Sequence, residues 1–376
     1  MQKIVSTTPC TLKKNCKFGA STEGRFFIDQ YHASMRAVVL TKFGKPEQAF
    51  SIQERPMPEP QPHEVRIKVA AFGLNFADVM ARQGLYQDCP PLPTVLGYEV
   101  VGTIDVLGAE VTGLEVGQRV VSLPRFGAYA EYAVADARAV AVIPDDMDYA
   151  AATALATQYG TAYFCAEYVT RLHPGEHVLI QAAAGGVGTA LVQLAKRRGC
   201  IVYGTAGSDQ KIGYLRQLGV DYPINYREED FDTFIRGKIG TDGGLDVVFD
   251  SLGGSAVKRA RKLLRQGTGR IVCYGAASRS GKGKGIWGDL KLVAGFGFLP
   301  LVELLLKSQS VMGVNMLRVA DHRPEALQHC IQSVVDLVEA GELKPTVGGR
   351  YSVDQLNEAH HYLEGRQSIG KIAVHW

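Results

Sequence analysis

The chain predicts an α/β fold, a parallel sheet covered by helices on both faces and joined to a β-rich domain. Three observations predict it. Residues 35–145 carry short apolar runs punctuated by Pro- and Gly-bearing loops such as RPMPEPQPHE. From about residue 148 the pattern changes to strand, helix, strand, helix, with near-continuous apolar strands. Between the first of those strands and the first helix lies Gln181–Gly199, QAAAGGVGTALVQLAKRRG, whose small residues let a backbone come close to a partner.

In the β-rich part the predicted strands are Val38–Thr41, Val65–Ala70, Val100–Leu107 and Val120–Leu123. In the alternating part the segments VLIQA, ALVQLAKRRG, IVYGTA, KIGYLRQLG, DVVFDSLGG, AVKRARKLLRQG and RIVCYG follow in order, with glycine closing several helices. The tail returns to a helix, Pro324–Ala340, a turn and a last strand, KIAVHW. The apolar stretch LVAGFGFLPLVELLL, Leu292–Leu306, is 15 residues long and contains Pro300 and Glu303, which is short for a bilayer span. It reads as a buried helix or a subunit contact, with shallow membrane docking as the other reading.

The 376 residues are 46% hydrophobic and 21% charged, an ordinary globular composition with room for two domains with separate cores. The net charge of +3 is too small to argue for a nucleic-acid partner or an anionic membrane surface. Seven cysteines are scattered without CxxC pairs, an odd count that suits a reducing, cytoplasmic setting. Residues 1–34 read differently from the rest, with Lys13, Lys14 and Lys17 among small and polar residues and no apolar core of a secretory signal. A conventional domain start, MRAVVLTKFG, begins at Met35, so residues 1–34 are taken as an N-terminal extension of open purpose.

The glycine turn carries the first functional signal. Within AAAGGVG, Gly185 and Gly188 keep the second and third glycines of a dinucleotide fingerprint, and Ala183 replaces the first. Gly185 lets backbone amides approach a pyrophosphate, Gly188 lets the helix pack on the strand, and the helix N-terminus supplies partial positive charge. The end of the next strand, Gly204-Thr205-Ala206, lacks the carboxylate that would hold ribose hydroxyls in an NAD site, and Asp209 comes a few residues late. Ser208, Lys211, Tyr226 and Arg227 are donors for a 2′-phosphate, although each taken singly also suits a solvated loop. Together they favour NADPH.

Several markers now coincide: NFADVMARQGLY (Asn75–Tyr86), GYEVVG (Gly97–Gly102), AAAGGVG, GTAGSDQK, INYREEDF and the closing GRQSIGK. From residue 35 to residue 376 the chain resembles the zinc-lacking, zeta-crystallin-like quinone oxidoreductase branch of the medium-chain dehydrogenase/reductase family. VVFDSLGGS and the segment after CYGAAS most resemble its vesicle amine transport protein subgroup. The resemblance implies a Rossmann coenzyme domain (a doubly wound parallel sheet, residues 158–317) inserted in a β-rich GroES-like catalytic domain (35–157 and 318–376). It also implies that Asn75 and Tyr86 stand at the reacting end of the nicotinamide, with Thr161 nearby. Gly185, Gly186, Val187 and Gly188 would line the pyrophosphate, and Ser208, Lys211 and Tyr226 the 2′-phosphate. Gly253, Tyr274 and Gly275 would cover ribose and nicotinamide, and Arg366 would reach back toward the adenine end. Relatives of this fold commonly pair through coenzyme-domain edge strands, so a homodimer is expected by resemblance.

Departures bear on chemistry. Zinc-dependent relatives carry a GHE motif where this chain has Gly97-Tyr98-Glu99, and LPRFGAYAEY contains no cysteine cluster. No convergent set of three ligands is legible, so no metal is expected. His173 and His177 are separated by Pro174 and Gly175, which forbid a shared helix, and the adjacent His360 and His361 read as surface residues. Without a strong Lewis acid, acceptors that delocalise incoming charge are favoured: quinones and α,β-unsaturated carbonyls. The Tyr86 phenol and the Asn75 amide can hydrogen-bond an acceptor oxygen. Tyr86 equally suits an aromatic packed over the cleft, and Asn75 equally suits fixing its own turn. The pocket is expected between Tyr86, the segment near Phe126 and the Gly-rich region Ser278–Phe298. Two further readings are a cofactor-binding, membrane-associated regulator with little turnover and an enoyl-thioester reductase, for which Lys282 and Lys284 are the obvious phosphate-binding candidates.

Overall fold

The alternating half folds as a six-stranded sheet in which every neighbouring pair is parallel. The computed structural model describes residues 33–240, 243–280 and 286–376; residues 1–32, Lys282 and Lys284 therefore lie outside the described residues. Across the sheet the strands run Tyr222–Asn225, Ile201–Ala206, His177–Ile180, Val247–Asp250, Arg270–Cys273 and Ser310–Gly313. That is the doubly wound order in which the chain reverses direction across the sheet between His177–Ile180 and Val247–Asp250. Ligands bind such sheets at the carboxyl ends of the strands flanking that reversal.

The β-rich half contains a seven-stranded sheet and a three-stranded one. The last strand, Lys371–His375, runs antiparallel to Glu64–Leu74, with Ile372 opposite Leu74. The C-terminal tail is thus built into the sheet formed by the first hundred or so residues, and Lys371 arrives beside Asn75. A second tail contact reaches the other half: Gly370 donates its N–H to the Ala184 carbonyl at 3.0 Å, and Gly370 and Gly185 form a parallel bridge.

The cores differ from the expected separate pair. One apolar core lies within the β-rich half around Ile67, Phe72, Tyr129 and Val374, and another lies on one face of the parallel sheet around Tyr203, Val248 and Ile271. The largest core is shared, running from Val121 and Ile143 through Leu155 and Ala162 to Val178, Leu191 and Phe249. The segment that joins the halves is irregular, with π-helical turns at Leu155–Tyr159 and Phe164–Val169. Such turns are uncommon and cluster at functional sites.

Two readings are overturned: that the apolar stretch is a buried helix, as distinct from a subunit contact, and that His360 lies on the surface. The apolar stretch at 292–306 forms parts of two helices, Ile286–Phe296 and Leu301–Lys307, broken at Pro300. It is not buried, since Leu301, Leu305 and Leu306 are each more than three-quarters exposed. His360 is fully buried rather than on the surface, 3.3 Å from the Tyr129 hydroxyl, because its helix packs this face into the β-rich core. Burial lowers its basicity to about 3, so it is neutral.

Candidate active site

A cleft of about 1900 Å³ opens at the carboxyl ends of the parallel strands and extends to the β-rich half. Every sequence-predicted site residue except Gly253 lines it: Asn75, Tyr86, Thr161, Gly185, Gly186, Val187, Gly188, Ser208, Lys211, Tyr226, Tyr274, Gly275 and Arg366.

At its centre the chain leaves the His177–Ile180 strand, turns through Ala182 at φ +51°, and enters the Gly186–Arg197 helix with Gly185 as the extended N-cap. The first intrahelical bond runs from the Thr189 N–H to the Gly185 carbonyl at 2.8 Å, so the amides before it are free of the helix ladder and concentrate partial positive charge here. A β carbon on Gly188 would lie 2.7–2.8 Å from the Ala183 backbone, so only glycine lets the helix sit this close to the strand end. Gly186 is crowded for another reason. A β carbon there would fall within the side-chain amide of Gln158.

On one side of this turn lie the four predicted donors. The Ser208 hydroxyl accepts from the Lys211 N–H at 3.4 Å and caps the following helix. Lys211 Nζ donates to the Arg366 carbonyl at 2.9 Å, tying the tail to this end of the cleft. Burial, with the nearby Arg227 charge, lowers the Lys211 pKa. Tyr226 is exposed and sets its hydroxyl over Gly207. Asp209 accepts from Asn225 at 3.2 Å, so the late carboxylate already has a partner there.

On the other side, Tyr274 and Gly275 follow the Arg270–Cys273 strand into the cleft. Gly253 does not line it. Its N–H donates to the buried Asp250 carboxylate at 2.6 Å, and this tight turn, with φ +73°, sets the glycine back from the opening.

Toward the β-rich half the cleft is lined by Asn75, Tyr86 and Tyr98. Tyr86 is half-buried, its hydroxyl makes no hydrogen bond to the described residues, and burial, with the Asp88 and Asp78 charges, pushes its phenol up to about 12. It is a neutral donor facing the cleft. Tyr98, at the place of the GHE histidine, is buried with an unpartnered hydroxyl, 6.4 Å between ring centres from Tyr86 and 5.8 Å from Phe126. Phe126 packs against Tyr98 and is not part of the lining, whereas Arg279, Leu292 and Phe296 from the predicted Ser278–Phe298 region line it.

Asn75 is more committed than the sequence implies. Its backbone N–H donates to Asp78 at 2.8 Å, fixing the start of the Phe76–Arg82 helix. Its side-chain amide donates to Glu99 at 2.9 Å and accepts from Lys371 Nζ at 3.2 Å. Lys371 and Glu99 form an ion pair with no exposure to solvent, and the other Glu99 oxygen accepts from the Thr157 N–H at 3.2 Å. Asn75, Glu99, Lys371 and Thr157 therefore join four distant segments beneath the cleft floor.

Comparison with known proteins places this geometry. Residues 61–145 match the alcohol dehydrogenase GroES-like domain, and residues 218–374 match a family model described as zinc-binding dehydrogenase. The synaptic vesicle membrane protein VAT-1 homolog of Danio rerio is 36% identical over 341 residues, covering 90% of this chain and 69% of that protein. The quinone oxidoreductase-like protein 2 of Bos taurus is 32% identical, covering 90% and 92%. The chain belongs to the medium-chain dehydrogenase/reductase family.

Among solved structures of this oxidoreductase family, the Escherichia coli quinone oxidoreductase complexed with NADPH superposes with a TM-score of 0.77 at 29% identity, covering 91% of this chain and all of that one. The CurK enoyl reductase superposes with a TM-score of 0.77 at 26% identity, covering 91% and 99%. The described residues do not offer the ligand set that the zinc in the family model's description needs. Among the described residues no three His, Cys, Asp or Glu side chains converge to hold a metal ion, and the Glu99 carboxylate is taken by Lys371.

Several lining residues escaped the sequence reading. Gln158 and Gln181 carry buried amide atoms without partners, and neither belongs to a recognisable motif. Asp88 pairs with Arg318 in the lining, and beyond it Arg125 pairs with Asp321 at 2.6 Å. No local signal announces these pairs, which join residues about 200 positions apart.

Proposed function

We propose that the protein is an NADPH-dependent reductase that delivers hydride to a quinone or an α,β-unsaturated carbonyl without zinc. One observation supports this most directly: a phosphate-ready helix N-terminus, a niche holding Ser208, Lys211, Tyr226 and Arg227, and the Tyr86 phenol all lie in one cleft. The NADPH-bound quinone oxidoreductase neighbour supports the choice of cofactor.

The residues fit such a cofactor. The backbone amides ahead of the first helical bond are free to face a diphosphate, and the Asp209 carboxylate beside the niche is engaged by Asn225. Tyr274, Gly275 and Thr161 wall the other half of the cleft. When bound, the cofactor supplies the hydride. The chain supplies position and charge stabilisation. Tyr86 donates a hydrogen bond to the acceptor oxygen from a phenol that stays protonated at physiological pH. Asn75, held from both ends by Glu99 and Lys371, fixes the floor on which the acceptor rests. Acceptors that spread charge themselves need no metal, which favours quinones and enones over simple ketones.

Stopped-flow oxidation of NADPH against a panel of quinones and enones tests the reading. Absence of turnover with every member, alongside tight NADPH binding, would favour the second reading, a vesicle-associated regulator. The exposed apolar helices at 286–307 and the VAT-1 relative support that one. Turnover confined to enoyl thioesters would favour the enoyl reductase reading, which the CurK neighbour supports.

The assembly proposed with this function is a cytoplasmic homodimer. Among the described residues the Ser310–Gly313 strand is paired on one side only, with Arg270–Cys273, and Leu301, Leu305 and Leu306 stand exposed on the preceding helix. An open edge beside a large apolar face is the arrangement that a second copy covers.

A further inference from the structure

Gln158 sits in the π-helical turn Leu155–Tyr159, one residue after the Thr157 amide that binds Glu99. Its side chain is only 7% exposed, yet it lines the cleft. Its amide lies against Gly186, the first residue of the helix that opens the glycine turn. Its Oε1 is sealed from solvent, and no donor among the described residues reaches it. A buried amide oxygen without a donor is a liability in the free protein and calls for an explanation.

We infer that Gln158 is a binding residue for the nicotinamide half of the reduced dinucleotide, its Oε1 accepting a hydrogen bond from that half. The inference rests on the function proposed above. Position selects the half: Gln158 stands between Gly186, at the diphosphate-facing turn, and Thr157, at the Asn75–Glu99–Lys371 cluster. The Ser208–Lys211 niche lies at the end of the neighbouring strand, on the other side of the turn. Chemistry narrows the group. Phosphate oxygens are acceptors, so the donors on offer are a ribose hydroxyl and the N–H of the nicotinamide carboxamide. The terminal torsion of a glutamine side chain is soft, so a modest rotation turns Oε1 from Gly186 into the cleft. Gly186 is then glycine for two reasons: it leaves room for the side chain at rest and for its rotation.

Titration of NADPH and of 2′,5′-ADP, which lacks the nicotinamide half, into the wild type and the Gln158→Met variant tests this. Methionine keeps the length and packing and loses the acceptor. NADPH affinity is expected to fall about tenfold, equivalent to about 1.4 kcal/mol, while 2′,5′-ADP stays within about twofold. A Gln158→Ala variant should repeat the split with less demand on packing. The reduced acetylpyridine analogue of NADPH separates the two donors. A loss that persists with it assigns the ribose hydroxyl, and a loss that disappears assigns the carboxamide N–H. Unchanged NADPH affinity, or equal weakening of both ligands, would overturn the inference and leave the proposed function standing. A wild-type chain that binds neither ligand would remove both.

Discussion

Lys371 and Glu99 form an ion pair with no solvent exposure directly beneath Asn75, and each holds one end of the Asn75 amide. The cluster joins distant parts of the chain, since Lys371 opens the last strand and Asn75 follows directly on Leu74, the end of the strand it pairs with. Removing one buried partner strands the other charge. Lys371→Met is expected to lower stability by about 3–5 kcal/mol in urea denaturation, and adding Glu99→Gln should recover a large part of it. A loss under about 1 kcal/mol for the single variant would contradict this account.

Asp78 gives the protein a pH-dependent term. Burial pushes its carboxyl up to about 7, against the ordinary 3.8. The folded state therefore holds this proton more tightly than the unfolded state does. Its stabilising contribution is complete below pH 3.8 and is lost as pH rises through about 7. Asp78→Asn keeps an acceptor for the Asn75 N–H and cannot ionise. Plotted from pH 4 to 7, the stability difference between variant and wild type should shift in favour of the variant as pH rises. A constant difference would show that Asp78 is already ionised across that range.

Gly186→Ala forces a β carbon into the Gln158 amide. Overpacking of this kind costs about 1–3 kcal/mol. In a Gln158→Ala background the space is open and the same change should be close to neutral. Thermal unfolding of the four chains measures the coupling. Equal penalties in both backgrounds would mean that the crowding at Gly186 has another source.

Lys211→Ala removes the half-buried cation of the Ser208–Tyr226 niche. A hydrogen bond to a charged group contributes about 1.5–3 kcal/mol, so NADPH affinity should fall by about tenfold or more while NADH affinity stays nearly constant. Calorimetry with both cofactors measures this, and a parallel loss for NADH would place the 2′-phosphate elsewhere.

Leu305→Glu places a charge on the exposed face beside the open Ser310–Gly313 edge. If a second copy covers that face, sedimentation velocity should show the dimer giving way to monomer, with secondary structure unchanged. A wild type that is monomeric at all concentrations would remove the proposed assembly.

Much of this fold is written in short segments. IVYGTA is a strand over its whole length, RIVC opens another, and the helix after the glycine turn begins at Gly186. These are local properties. Side-chain periodicity and the close approach that Gly188 permits are decided within a few residues of one another. The glycine turn and the donors at 208, 211, 226 and 227 were legible for the same reason, because each follows a strand end that the pattern locates.

What only the tertiary structure decided is where distant segments meet. Asn75 reads as a residue that binds an acceptor, and the fold occupies its amide with Glu99 and with Lys371, 296 positions away. Gln158 carries no motif, and it matters because the sheet brings it onto Gly186. Leu301, Leu305 and Leu306 look as though they belong in a core, yet the helix that carries them leaves them facing outward. His360 looks exposed and is buried because its helix packs that face against Tyr129. Local spacing sets which face of an element is apolar or polar, but the partner of that face is chosen by the packing of whole sheets and helices.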